Sequence, residues 1–79
     1  MSIEEKIYEI MKENKLYGDV SVNKNVAEIE ISGDWKHEHL RLKFLMLENF
    51  DIQEHNEVVI EEDGSDYYTS IHYFKFKEN

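Results

Sequence analysis

Four histidines, His37, His39, His55 and His72, have the widest chemical range of any side chains in this 79-residue chain. Imidazole titrates near pH 6.5 and, when neutral, ligates zinc and related ions, so histidine pairs are where a metal centre or a pH sensor would be sought. His37 and His39 stand two apart. On a strand they would share a face and could grip one ion; on a helix they point about 200° apart and cannot. His55 and His72 flank an Asp63-Gly64 step. A two-residue loop there sets them directly opposite each other, on the face that also carries Val59, Tyr68 and Phe74. They are the metal candidates, and with nearby carboxylates they would supply a metal-dependent or hydrolytic enzyme. Two ligands do not make a site, however, and a change of one residue in the loop unpairs them.

Other chemistry is thinner. The run Glu61-Glu62-Asp63-Gly64-Ser65-Asp66 could attract calcium but lacks the spacing of an EF-hand loop and reads as a solvated turn. No Gly-rich phosphate loop, nucleophile elbow or zincin motif occurs. With no Cys there is no disulfide, thiolate site or Cys nucleophile. The sequence therefore assigns no catalytic residue and no cofactor, and it points away from an enzyme.

Periodicity identifies the elements that must carry these side chains. Ser2 with Glu5 fits a capping box, and Ile3, Ile7, Ile10 and Met11 form one stripe, which predicts a helix from about Ile3 to Lys15. After Gly18, Val20 and Val22 alternate with polar residues, and so do Ala27, Ile29 and Ile31. A two-residue loop at Lys24-Asn25 pairs Val22 with Ala27 and Val20 with Ile29, leaving Glu28 and Glu30 toward solvent. Asp34 is placed to cap a helix from Trp35 to about Glu48. A strand competes there, because Leu40, Leu42 and Phe44 alternate with Arg41 and Lys43, but a composition of Leu, Met, Lys, Arg and Glu favours helix. That helix argues against a site made of His37 and His39. Its apolar residues form two arcs, Trp35, Leu42, Leu45 and Met46 on one and Leu40, Phe44 and Leu47 on the other. One arc can cover a sheet and the second is left for the first helix or another chain.

From Asp51 to Lys77 the chain reads as a long hairpin turning at Asp63-Gly64. A two-residue loop pairs Ile60 with Tyr67 and Val58 with Thr69; a three-residue loop pairs Ile52 with Phe76, and a bulge within residues 54–57 would reconcile the two ends. The expected fold is one α+β domain of order αββαββ, a four-stranded antiparallel sheet with two helices on one face. The order is that of a circularly permuted ferredoxin-like unit. One side of the hairpin shows Tyr68, Phe74 and Phe76 and the other Tyr67, Ile71 and Tyr73. Helices on one face leave an aromatic stripe uncovered, so Tyr68, His72, Phe74 and Phe76, or their alternates, are interface candidates together with Trp35.

Charge narrows the partner. The net charge is -9, and between Lys43 and Lys75 eight acids stand with no Lys or Arg. That opposes direct nucleic-acid binding, where affinity comes largely from basic side chains, and it admits a basic protein partner. No apolar run approaches the roughly 20 residues of a membrane span and no leader is evident, so a cytoplasmic protein is expected, with no membrane partner.

The stretches Gly33-Asp34-Trp35-Lys36-His37 and Glu61-Glu62-Asp63-Gly64-Ser65-Asp66-Tyr67-Tyr68 together resemble the small acidic proteins of unknown function from phages and prophages of Gram-positive bacteria. The resemblance covers about a third of the chain. It implies a phage or prophage setting, in which such proteins often bind a host protein, and it carries over no catalytic residue. The expected function is thus a small acidic interaction module that binds a protein partner or dimerises through its sheet or helix surface. Two alternatives are an acidic DNA mimic that occupies a host nucleic-acid-binding surface, and the metal-dependent enzyme on His55 and His72.

Overall fold

A computed structural model describes residues 1–64 and 66–78. Ser65, one member of the acidic turn, and Asn79 lie outside the described residues. The order is α1 (Ile3–Glu13), β1 (Gly18–Asn23), β2 (Val26–Asp34), a π-helical turn (Trp35–His39) running into α2 (Leu40–Asn49), β3 (Ile52–Glu62) and β4 (Tyr67–Phe76). The αββαββ order and the four-stranded antiparallel sheet are as expected, and the strands lie in the order β1-β2-β4-β3.

Local chemistry fixes the ends of α1. Ser2 Oγ accepts from the Glu5 N–H and Glu5 accepts from the Ser2 N–H, closing the capping box. The helix stops at Glu13, short of the expected Lys15, because Lys15 takes a left-handed φ of 58°. Leu16 N–H then bonds the Met11 carbonyl at 2.8 Å and Lys15 N–H the Lys12 carbonyl at 3.1 Å. This is a Schellman cap, and it drives the buried Leu16 back toward the core beside Met11.

The β1–β2 hairpin has the register expected of it, Val22 opposite Ala27 and Val20 opposite Ile29. The β3–β4 hairpin does not follow the two-residue register. Val58 lies opposite Ile71 and Glu61 opposite Thr69, while Ile52 does meet Phe76. Irregularities between Ile52 and Glu54 and between Val59 and Glu61 absorb the offsets, in place of one bulge within residues 54–57.

The core sits between the helices and one face of the sheet. Ile7, Met11, Leu16, Val20, Ala27, Ile29, Ile31, Leu42, Met46 and Phe74 form it. Only one of the two arcs on the second helix packs: Leu42 and Met46 are buried, whereas Phe44 and Leu47 are exposed. Trp35, grouped by the helical wheel with Leu42, Leu45 and Met46, is exposed, in keeping with its place among the interface candidates. The wider turn at residues 35–39 puts it out of phase with the α-helix that follows.

Candidate functional site

The pairing of β4 with β2 decides the fate of the histidines. Ser70, His72 and Phe74 stand opposite Ile31, Ile29 and Ala27, the apolar set of β2, so they share its helix-covered face and are fully buried. His39 meets them from above. Asp34 caps the π-helical turn, accepting the His37 N–H at 2.6 Å, and its Oδ2 lies 2.8 Å from His37 Nδ1. The backbone bond, followed by the ring contact, holds the Asp34 carboxyl below its ordinary range. Glu38 folds over Gly33, where a Cβ would overlap its side chain, and accepts the Asp34 N–H at 3.1 Å. Between these two anchors His37 stays in solvent. His39 instead falls on the stripe with Leu42 and Met46 and is 1% exposed.

The result is a relay of three imidazoles. His39 Nε2 lies 3.1 Å from the Tyr68 carbonyl, His39 Nδ1 2.9 Å from His72 Nε2, and His72 Nδ1 3.0 Å from His55 Nε2. The proton positions follow by elimination for neutral rings. A carbonyl only accepts, so His39 carries its proton on Nε2 and its Nδ1 is an acceptor. His72 must then donate from Nε2 and accept at Nδ1, and His55 must donate from Nε2. Ser70 donates to Glu57 Oε2 at 2.6 Å, and its oxygen lies 3.1 Å from His39 Nδ1 and 3.3 Å from His72 Nε2. Among the described residues no buried side-chain nitrogen or oxygen lacks a partner. The rings are also stacked, Tyr68 on His39 at a centroid distance of 4.1 Å and His55 on Phe74 at 4.6 Å.

Burial chiefly, with help from the charges that His39 and His55 would carry, pushes the His72 pKa down to about 4, against the opposing pull of Glu57. His55 is lowered too, by burial first and then by Lys43, with Glu57 again opposing. Burial, and after it the Glu57 and Asp34 carboxylates, raises the Tyr68 phenol. Near pH 7 His72 is therefore neutral.

The geometry corrects the expected pairing of His55 with His72. Glu57, not His55, is opposite His72, and His55 is opposite Phe74, touching His72 on the diagonal. Three atoms from three elements converge instead. Glu57 Oε2 is 3.6 Å from His39 Nδ1 and 3.5 Å from His72 Nε2. Glu57 and Ser70 are residues the sequence reading did not single out, and His39 entered it only as a partner of His37 and was set aside with the helix. His39 left a usable signal, since it precedes Leu42 and Met46 by three and seven, the spacing of a buried helical stripe; counting apolar residues alone passed over it.

The aromatic stripe also needs correction. His72 and Phe74 are buried, Tyr68 and Phe76 are half-buried on the same covered face, and Phe76 packs edge-on to Phe50 at 5.5 Å. Of those interface candidates only Trp35 is exposed, and the uncovered face carries the alternates Tyr67, Ile71 and Tyr73. A shallow surface of about 630 Å³ lies where Asp34, Trp35 and His37 meet Glu62 and Asp66; it borders Tyr68 but not His39, His55 or His72.

The longest open feature is β3. It closes one end of the sheet with eleven residues, none fully buried, and Val58, Val59 and Ile60 are 51%, 46% and 50% exposed. Lining it are Glu54, Glu57, Glu61 and Glu62. No helix among the described residues is long and apolar enough to cross a membrane. No protein-family model, curated protein or solved structure matches the chain.

Proposed function

We propose that this protein is an acidic interaction module whose β3 edge accepts an extended basic segment of another protein as a fifth strand. The observation that carries the reading is the edge itself, an eleven-residue outer strand with three consecutive aliphatic side chains about half in water. Unpaired N–H and C=O groups along such an edge are a template for an added strand, and alternate side chains then set specificity.

Charge selects the partner. Self-pairing of two antiparallel β3 strands about Val59 would set Glu57 against Glu61, and about Val58 it would set Glu54 against Glu62. Like charges directly opposite are destabilising. A strand alternating Lys or Arg with aliphatic residues meets the same edge with opposite charge and keeps the apolar contact. A second copy of this chain is therefore the poorer occupant, and a phage-encoded protein directed at a basic host segment is a setting in keeping with this chemistry.

Two ten-residue peptides test it, one alternating Lys with Val and one alternating Glu with Val, titrated into 15N-labelled protein. The Lys peptide is expected to bind at low salt, weaken as salt rises, and slow amide exchange across residues 54–62; the double change Glu54→Lys with Glu61→Lys weakens it at least about 10-fold. Absence of binding to either peptide, or protection confined to other elements, overturns the reading. A concentration-dependent dimer that buries β3 would replace the basic partner with a second copy.

A further inference from the structure

We propose that His39 Nδ1, His72 Nε2 and Glu57 Oε2 form a site for one divalent transition-metal ion, with zinc the best match. The three atoms are separated by 2.9, 3.5 and 3.6 Å. Ligands at about 2.0–2.2 Å in a tetrahedron lie roughly 3.3–3.6 Å apart, so both Glu57 separations already match and the two imidazole nitrogens have only to part by roughly 0.4 Å. Two imidazoles and one carboxylate suit zinc and its neighbours, and exclude the all-oxygen shells of calcium and magnesium.

Each ligand has an outer partner of the kind metal sites use. His39 donates from Nε2 to the Tyr68 carbonyl, which leaves Nδ1 as the unprotonated nitrogen; its lone pair accepts the His72 Nε2 proton in metal-free protein and is released to the ion when that proton leaves. Ser70 holds Glu57 Oε2 at 2.6 Å. His72 faces His55, and this contact works in either direction. When the ion arrives, the His72 Nε2 proton leaves to water, Nδ1 takes the Nε2 proton of His55, and His55 takes one from water on Nδ1. All three rings stay neutral and the hydrogen bond between His55 and His72 survives reversed. The Glu57 side chain is 27% exposed, so the ion and a water completing its shell enter from the β3 side.

The same placement serves a metal-free hydrogen-bonded relay, so the test must separate the two. Full-length protein stripped with EDTA and dialysed is titrated at pH 7.5 with CoCl2 and then ZnCl2. One equivalent of cobalt should develop visible absorption of tetrahedral intensity, and one equivalent of zinc should bleach it and raise the melting temperature. Glu57→Gln, on a solvent-reaching side chain, should weaken zinc at least about 10-fold, and His55→Ala about 10- to 100-fold as loss of an outer partner. His37→Gln should change nothing. Imidazole 15N spectra give a readout that packing alone does not move: with zinc, His72 switches from the Nε2–H to the Nδ1–H form while His39 keeps Nε2–H. No saturable binding at one equivalent, unchanged affinity in Glu57→Gln, or His72 still carrying Nε2–H in the presence of zinc overturns the site.

Discussion

The sheet has two edges, and they are finished in opposite ways. β1 is six residues long, lies under α1, and has its outward backbone groups at Val20 occupied: Val20 N–H bonds Tyr8 Oη at 2.9 Å, and the same hydroxyl donates to the Val20 carbonyl at 3.4 Å. β3 is eleven residues long and has its Val58, Val59 and Ile60 side chains half in water. A side chain blocks the first edge, whereas charge and two irregularities guard the second. The clamp at Val20 turns away a strand of any charge there. Charge excludes only partners of like sign, so the difference marks β3 as the edge at which something can be admitted selectively.

The β3 half is also tied to the body by titratable groups. His72 on β4 faces His55 and Glu57 on β3, His39 from the turn before α2, and Ser70 beside it. Its pKa near 4 in the folded protein lies below the roughly 6.5 of an unfolded chain. Above pH 6.5 neither state binds this proton and the relay is at full strength. As pH falls from 6.5 toward 4 the unfolded chain takes up a proton that the folded protein excludes, so stability declines. In metal-free protein the loss is on the order of a few kcal/mol by pH 4, the largest effect expected here. Urea midpoints at pH 7.5, 6.0 and 5.0 check it, with amide exchange rising first in residues 54–59 and later in β1. A midpoint that is flat from pH 7.5 to 5.0 breaks the link between the relay and the β3 edge.

How much of this was legible in the sequence depended on whether one face of an element was polar. The β1–β2 hairpin was readable in full, because Val20, Val22, Ala27, Ile29 and Ile31 alternate with polar residues and only one register unites them. The capping box and the Asp34 cap were equally local. In β4 both faces carry aromatic or aliphatic side chains, so composition could not say which face the helices cover. That was decided by the long-range pairing of Ile29 with His72. His55 was placed opposite His72 because irregularities at either end of β3 change the register and leave no mark in composition. The site itself needs three elements at once, the turn at Trp35–His39, β3 and β4, and its polar members sit on stripes that apolar periodicity does not count.

Tyr8→Phe tests the blocked edge. The change removes the hydroxyl and leaves the ring, so packing of α1 on β1 is retained while Val20 loses both partners. Tyr8 is 41% exposed and water can replace the hydroxyl in part, which limits the loss to about 0.5–1 kcal/mol in urea unfolding. The sharper readout is local: Val20 amide exchange accelerates while that of β2 and β4 does not. Unchanged Val20 exchange would mean that the edge is closed by something other than this clamp.

The smallest effect is expected on the open edge. Val59→Thr keeps the β-branch and the volume and adds one hydroxyl at a position 46% exposed, where water satisfies it. Stability should shift by no more than about 0.5 kcal/mol, as for an ordinary surface substitution. The same change under cover would bury a hydroxyl and cost about 1–3 kcal/mol. The size of the loss therefore reports whether Val59 is covered in solution, and its dependence on protein concentration reports by what. A loss above about 1 kcal/mol that grows with concentration would mean that a second copy occupies β3 and that its acids do not exclude self-pairing. A null result at every concentration, with Lys-peptide binding weakened in the same variant, is what an edge kept open for a basic strand requires.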